Sequence, residues 1–302
     1  MTDQAGKLRT LVKNRISTEK TGTENGALDT NPPTKPHFIC ITSGKGGVGK
    51  TNFSINLGIA LTRQGMRTLV IDADFGLANV DVVLGTITKY TFMNLMDENL
   101  SVENILGEGP EGLKIISGGS GLLNVLDMSE EKLQRIIQRF NELNTLFDIV
   151  IIDTGAGLTK NILSFVNASD ETILVTTPEP TSLTDAYAMI KAISREPERT
   201  KVSVVVNRAE THEEADQNFE KLLNASMKFL NFPIHSLGII LDDYRVKKSV
   251  QLQVPFLIKY PNSIASRNVE LISRKVLNHN IDDAPHEVKE SNFVKRFINI
   301  FK

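Results

Sequence analysis

The sequence predicts an α/β protein with a doubly wound, mostly parallel sheet. It is a single domain carrying an N-terminal extension and a C-terminal amphipathic helix. Three observations predict this. A glycine-rich phosphate loop stands between an apolar run and a helical pattern. Seven short apolar runs rich in β-branched residues alternate with helical patterns. Two polar stretches set off an amphipathic segment at each end.

The loop comprises Gly44, Lys45, Gly46, Gly47, Val48, Gly49, Lys50 and Thr51. It satisfies glycine, four residues, then Gly-Lys-Thr. Its glycines let backbone N–H groups curl inward onto phosphate oxygens. Lys50 brings a cation to the β/γ phosphates, and the Thr51 hydroxyl is a Mg²⁺ ligand. Phe38–Thr42 before it reads as a buried strand. Asn52–Gln64 after it reads as a helix, with apolar residues at Phe53, Leu57, Ala60 and Leu61, and Asn52 is counted with the nucleotide site. The loop therefore opens a helix, where the dipole favours anions.

The other strand candidates are Thr68–Ile71, Leu113–Ile116, Ile149–Ile152, Thr172–Thr176, Val202–Val206 and Leu237–Leu241. Several are continuously apolar, which predicts cover on both faces of the sheet. Helical patterns span Glu130–Leu143, Asn161–Asn167, Ser182–Arg195, Glu213–Leu230 and Ser263–Leu277. The expected organisation is a helix over 1–16, a linker over 17–36, the main domain over 37–277, a second linker over 278–290 and a final helix over 291–302. Sheets of this kind bind ligands at the carboxyl ends of their strands.

Net charge is −2, which gives no global attraction to nucleic acid, and no DNA contact is expected. Cys40 is the sole cysteine, so no internal disulfide forms, and its apolar strand makes it a small buried hydrophobe. The five histidines lack metal-ligand spacing. No apolar run reaches the length of a membrane span. A cytoplasmic protein is expected, with membrane contact only through its ends.

Acids complete the site. Asp72 and Asp74 stand at i and i+2 at the end of one strand, and project on the same side if the strand continues that far. Asp153 ends another strand and precedes the loop Thr154–Gly157. An apolar strand ending in Asp before a glycine loop has the Walker B form, which fixes an acid near Mg²⁺.

With Lys45 and Lys50 together, the loop resembles the deviant Walker A box of the MinD/ParA ATPases. The resemblance covers roughly residues 37–277. It includes Asp72–Asp81, Asp153–Gly157 and Thr177–Asp185. It implies an ATP-dependent homodimer with ATP and Mg²⁺ between the subunits. Lys45 then reaches across to the partner's phosphates, Asp74 orients the attacking water, and Thr51, Asp72 and Asp153 serve Mg²⁺. Asn207 and Arg208 match the adenine-contacting position, and Asp242 flanks the base.

The two ends refine this. At about 100° per residue, Phe293, Val294, Phe297, Ile298, Ile300 and Phe301 share an arc of roughly 160°. Lys295, Arg296 and Lys302 lie opposite, which suits an anionic bilayer surface. The polar stretch before this segment predicts a free, tethered element. MinD proteins end in a similar membrane-targeting helix. At the other end, Asp3, Gln4, Ala5, Leu8 and Arg9 resemble an element of the flagellar-number regulators, the FlhG/YlxH branch of the MinD family. That element activates the GTPase of a signal-recognition-type partner, FlhF. The resemblance thus implies FlhF, the inner face of the cell membrane and flagellar basal-body proteins as partners. Three other readings share the fold: a septum-positioning MinD, a ParA-type DNA-partitioning ATPase, and a nucleotide-binding scaffold without turnover.

Overall fold

Runs of β-branched and aliphatic residues can pack on both faces of a sheet only from its interior. The computed structural model shows this arrangement. It describes residues 36–74, 79–119, 130–196 and 201–282, together with Phe293 and Arg296 of the tail. The expected N-terminal helix and its linker lie outside these residues up to position 35, as do Val294, Phe297, Ile298, Ile300 and Phe301.

The first half of the chain gives β1 (His37–Ser43), α1 (Lys50–Arg63), β2 (Thr68–Ala73), α2 (Val80–Leu84), α3 (Val102–Ile105), β3 (Gly107–Glu108), β4 (Lys114–Ile116) and α4 (Glu130–Leu146). The second half gives β5 (Ile149–Ala156), α5 (Lys160–Ala168), β6 (Glu171–Thr176), α6 (Pro180–Ile193), β7 (Lys201–Ala209), α7 (His212–Leu230), β8 (His235–Leu241), α8 (Tyr244–Gln251), α9 (Phe256–Lys259) and α10 (Ile264–Asp282). The strands lie in the order β3-β4-β2-β5-β1-β6-β7-β8. Only β3 with β4 is antiparallel. β1 sits between β5 and β6, so the loop that leaves it emerges at the crossing point of the winding.

Alternate strand residues feed two cores. Phe38, Cys40, Ile71, Val150, Ile152 and Leu174 pack under α4, α5, α6 and α7. Ile39, Ile41, Val70, Ile151, Ile173 and Val205 pack under α1, α9 and α10. Most boundaries shift by a few residues from the sequence reading, and two shifts are instructive. Leu113 precedes β4 instead of opening it, and α10 runs through Asp282, into the stretch expected as a linker. Extending an established helix through polar residues costs little, so composition alone misplaces its end. Helices α2, α3, α8 and α9 were not expected. They hold four to eight residues, too few turns to show a clear period. No helix among the described residues is long and apolar enough to cross a membrane.

The tail departs from the free element the sequence suggests. Phe293 is only 3 % exposed. Its ring stacks on Phe38 at 4.2 Å with an interplanar angle of 9°, and tilts against Phe140 at 5.2 Å. Arg296 pairs with Asp170, whose Oδ2 accepts the Phe38 N–H at 3.0 Å. The side chain expected to face lipid is therefore held by the body, because an apolar ring is satisfied equally by a protein slot or an acyl chain. Phe140 walls this slot and is fully buried. Phe140→Ala is expected to lower the unfolding free energy by about 3–5 kcal/mol in urea titration. A loss under about 1 kcal/mol would remove its place in the core.

Candidate functional site

The loop from Gly44 to Gly49 links β1 to α1. Gly49 caps α1 with φ of 92° and offers no side-chain acceptor, so no side chain competes for the first-turn N–H groups of the helix. Those groups and the helix dipole form an anion site. Gly44 is required by close approach, since a Cβ there would lie 2.3 Å from the backbone of Asp185 in α6. Val48 is buried and anchors the loop to the core, while Gly46 and Gly47 stay exposed. Asn207 Nδ2 donates to the Val48 carbonyl at 2.7 Å. Its Oδ1 accepts the Arg208 N–H at 2.9 Å. Asn207 thus braces the phosphate loop from β7.

Behind the loop, Asp153 has no exposed surface. Its Oδ1 accepts from Lys50 Nζ at 3.2 Å and from Ser54 Oγ at 2.8 Å. Its Oδ2 accepts from Thr51 Oγ1 at 2.7 Å. Thr51 and Asp153 together present hard oxygens, the donor set that suits Mg²⁺. Asp72 is the direct register partner of Asp153 across β2 and β5, which brings the two acids together. Burial, followed by the Asp153 charge, pushes the Asp72 carboxyl up to about 7, against three backbone N–H donors that favour its charged form. Asp74 lies over Gly155: a Cβ on that glycine would be 3.4 Å from Asp74 Oδ1.

Lys45 sits at the rim with its side chain 37 % exposed. Its ammonium donates to Glu179 Oε2 and to Thr181 Oγ1, both at 2.8 Å, at the start of α6. The hydrogen bond and charge of Lys45 hold the Glu179 carboxyl below its ordinary range.

Beside the loop opens a cavity of about 260 Å³. Asn52, Phe53, Asn207, Arg208, Asp242 and Val246 are among its walls. A mostly apolar slot with a few polar groups next to an anion site suits a nucleobase. Asp243, also on the cavity wall, caps α8 by accepting the Arg245 N–H at 3.0 Å.

The fold therefore gathers Lys45, Lys50, Thr51, Asp72, Asp74 and Asp153 at the carboxyl ends of β1, β2 and β5. It sets Asn52, Asn207, Arg208 and Asp242 on the cavity wall. Ser54 escaped the sequence reading, and so did the particular contacts of Glu179, Thr181 and Gly155, which lie in stretches it singled out. Ser54 had a usable signal, since it lies one helical turn beyond Lys50 and three residues beyond Thr51. Glu179 and Thr181 lie in a recognised stretch but depend on a contact 134 and 136 residues away in the chain.

A family profile described as "AAA domain" matches residues 36–206. The chain is 38 % identical to the antiactivator FleN of Pseudomonas aeruginosa over 238 residues, 79 % of this chain and 85 % of FleN. It is 34 % identical to the flagellum site-determining protein YlxH of Helicobacter pylori, over 78 % of this chain and 80 % of YlxH. Among solved structures, MinD of Pyrococcus horikoshii complexed with Mg-ADP superposes with a TM-score of 0.64 at 25 % identity, covering 80 % of this chain and 96 % of that one. MinD of Aquifex aeolicus gives the same TM-score at 24 % identity, covering 80 % and 97 %, and shows the shared fold.

Proposed function

The chain belongs to the MinD/ParA family of P-loop ATPases, in its flagellar-number-regulator branch, and from that premise we propose an ATP-driven dimer switch that acts on flagellar number and placement. ATP binds and is hydrolysed at Gly44–Thr51. The observation that carries the dimer reading is Lys45, a second loop lysine standing at the rim and held only by the exposed residues Glu179 and Thr181 among its described hydrogen-bond partners.

In this reading the α1 N-terminus and Lys50 hold the phosphates, and Asn207 keeps the loop in shape. Thr51 and Asp153 would hold Mg²⁺, which supplies charge neutralisation at the β- and γ-phosphates. Asp74 orients the attacking water. Each subunit's Lys45 leaves Glu179 and offsets the charge that develops at the other's γ-phosphate. Water screens an exposed ion pair, so leaving Glu179 costs little. Loss of the γ-phosphate removes the bridge, so nucleotide state becomes assembly state.

The ends report that state. The Phe293 ring can occupy the slot between Phe38 and Phe140 or a lipid surface, but not both. Burying one such side chain is worth about 1.5–3 kcal/mol, enough to restrain one weakly binding tail. Two tails in a dimer act by avidity, with Val294, Phe297, Ile298 and Phe301 joining Phe293 at an anionic inner membrane face. At the other end, Asp3, Gln4, Ala5, Leu8 and Arg9 form the element that engages an FlhF-type GTPase. There Gln4 is suited to orient water and Arg9 to offset charge. The names of FleN and YlxH, an antiactivator and a flagellum site-determining protein, support the flagellar setting, with basal-body proteins as further partners.

Lys45→Ala is expected to abolish ATP-dependent dimerisation on sizing and to slow turnover about a hundredfold or more. Unchanged association and turnover would overturn the switch. Deleting residues 293–302 should end ATP-dependent pelleting with anionic vesicles, and undiminished pelleting would remove the membrane role. A peptide of residues 1–20 should accelerate GTP hydrolysis by the FlhF-type partner, and its Gln4→Ala form should not. Equal rates for the two peptides would dismiss the activator element.

A further inference from the structure

Asp72, near the end of β2, and Asp74, just past it, have different neighbours. Asp74 lies beside Gly155, at the edge of the site. Asp72 has no exposed surface, and both its oxygens face backbone. Oδ1 accepts the Asp74 N–H at 3.0 Å. Oδ2 accepts the Asn79 N–H at 2.9 Å and the Val80 N–H at 3.2 Å. One carboxylate thus ties together both ends of the segment from 74 to 80. Its bond at the far end also serves α2. Asn79, the cap residue of α2, makes no side-chain cap bond, and Asp72 supplies the missing acceptor from a neighbouring strand. Gly118 closes the other side, where a Cβ would lie 2.7 Å from the Asp72 carbonyl oxygen and 3.5 Å from its Cγ. The donors of the phosphate-loop helix, Lys50, Thr51 and Ser54, all go to Asp153 instead.

We propose that Asp72 is a positioning residue: its carboxylate holds the Asp74 N–H on one side and the Asn79 and Val80 N–H groups on the other, and so sets where the Asp74 carboxylate hangs over Gly155. This rests on the reading of Asp74 as the group that orients the attacking water. The chemistry requires an acid. In its charged form, which the three backbone N–H donors favour against burial, the carboxylate accepts on both oxygens, whereas a carboxamide turns one acceptor into a donor. That donor would face a backbone N–H and release either Asp74 or the Asn79–Val80 pair. A displacement of about 1 Å in a group that orients a reactant costs on the order of a hundredfold in rate.

The test compares full-length Asp72→Asn, Asp74→Ala and the double variant. Asp72→Asn should lower kcat about tenfold or more, with the ATP KM and the Mg²⁺ concentration for half-maximal nucleotide binding within about twofold of wild type. In the Asp74→Ala background it should add no further loss, because residues acting through one another are not additive. Hydrogen exchange at the Asp74, Asn79 and Val80 amides should quicken in Asp72→Asn while α1 keeps its protection. A Mg²⁺ midpoint shifted about tenfold or more would place Asp72 with the metal and overturn the proposal. So would a further loss in the Asp74→Ala background. Wild-type kcat in Asp72→Asn beside an inactive Asp74→Ala would overturn the clamp alone. Wild-type turnover in Asp74→Ala would remove the water-orienting reading, and the clamp's purpose with it. If Asp72→Asn does not fold, exchange in the unaltered protein decides: slow amides at Asp74 and Asn79 support the clamp, and open-loop rates overturn it.

Discussion

A carboxylate shut away from water must be answered by donors, and at Asp153 all the answering side chains come from one helical turn. Lys50, Thr51 and Ser54 converge on its two oxygens. An unanswered buried charge costs several kcal/mol, so the bonds lock the first turn of α1 to the end of β5. The phosphate loop lies between that turn and β1, and it inherits the constraint. Asn207 adds a brace from β7 through the Val48 carbonyl. The binding surface is thereby fixed by three strands before any phosphate arrives, which is what electrostatic preorganisation requires. Lys45, Asp74 and Phe293 are all held by contacts outside this anchor.

Much of this was legible in the chain. The loop pattern, the apolar runs and the acids Asp72 and Asp153 are local signals that fall within or beside strands, while Asp74 lies just past the end of β2. What escaped the reading depends on distance in sequence. Nothing local says that Asp72 and Asp153 occupy the same register position, or that Glu179 receives Lys45. The tail shows the limit best. An arc of apolar residues predicts a face that avoids water, but it cannot say whether protein or lipid covers it. The structure gives Phe293 a protein partner because β1 and α4 leave a ring-sized slot at their edge, a property of packing rather than of pattern.

The division of roles among the acids has a common cause in strand geometry. In parallel strands the residues that end together present their side chains to one rim, so β2 and β5 deliver three carboxylates to a small volume. Like charges so close would repel. The fold separates them by giving each a different set of donors: side chains for Asp153, backbone amides for Asp72, and an open edge for Asp74.

β1 itself joins two chemistries. Its seven residues begin beside the tail's aromatic stack and end at the phosphate loop. Six peptide steps of about 3.3 Å place these ends roughly 20 Å apart. Dissolved ions damp exposed charges over about 8–10 Å, so the negative charge of a nucleotide is scarcely felt at the far end. In the proposed switch, fuel and anchorage would therefore be coupled by shape, through shifted packing or by pairing two copies of the chain.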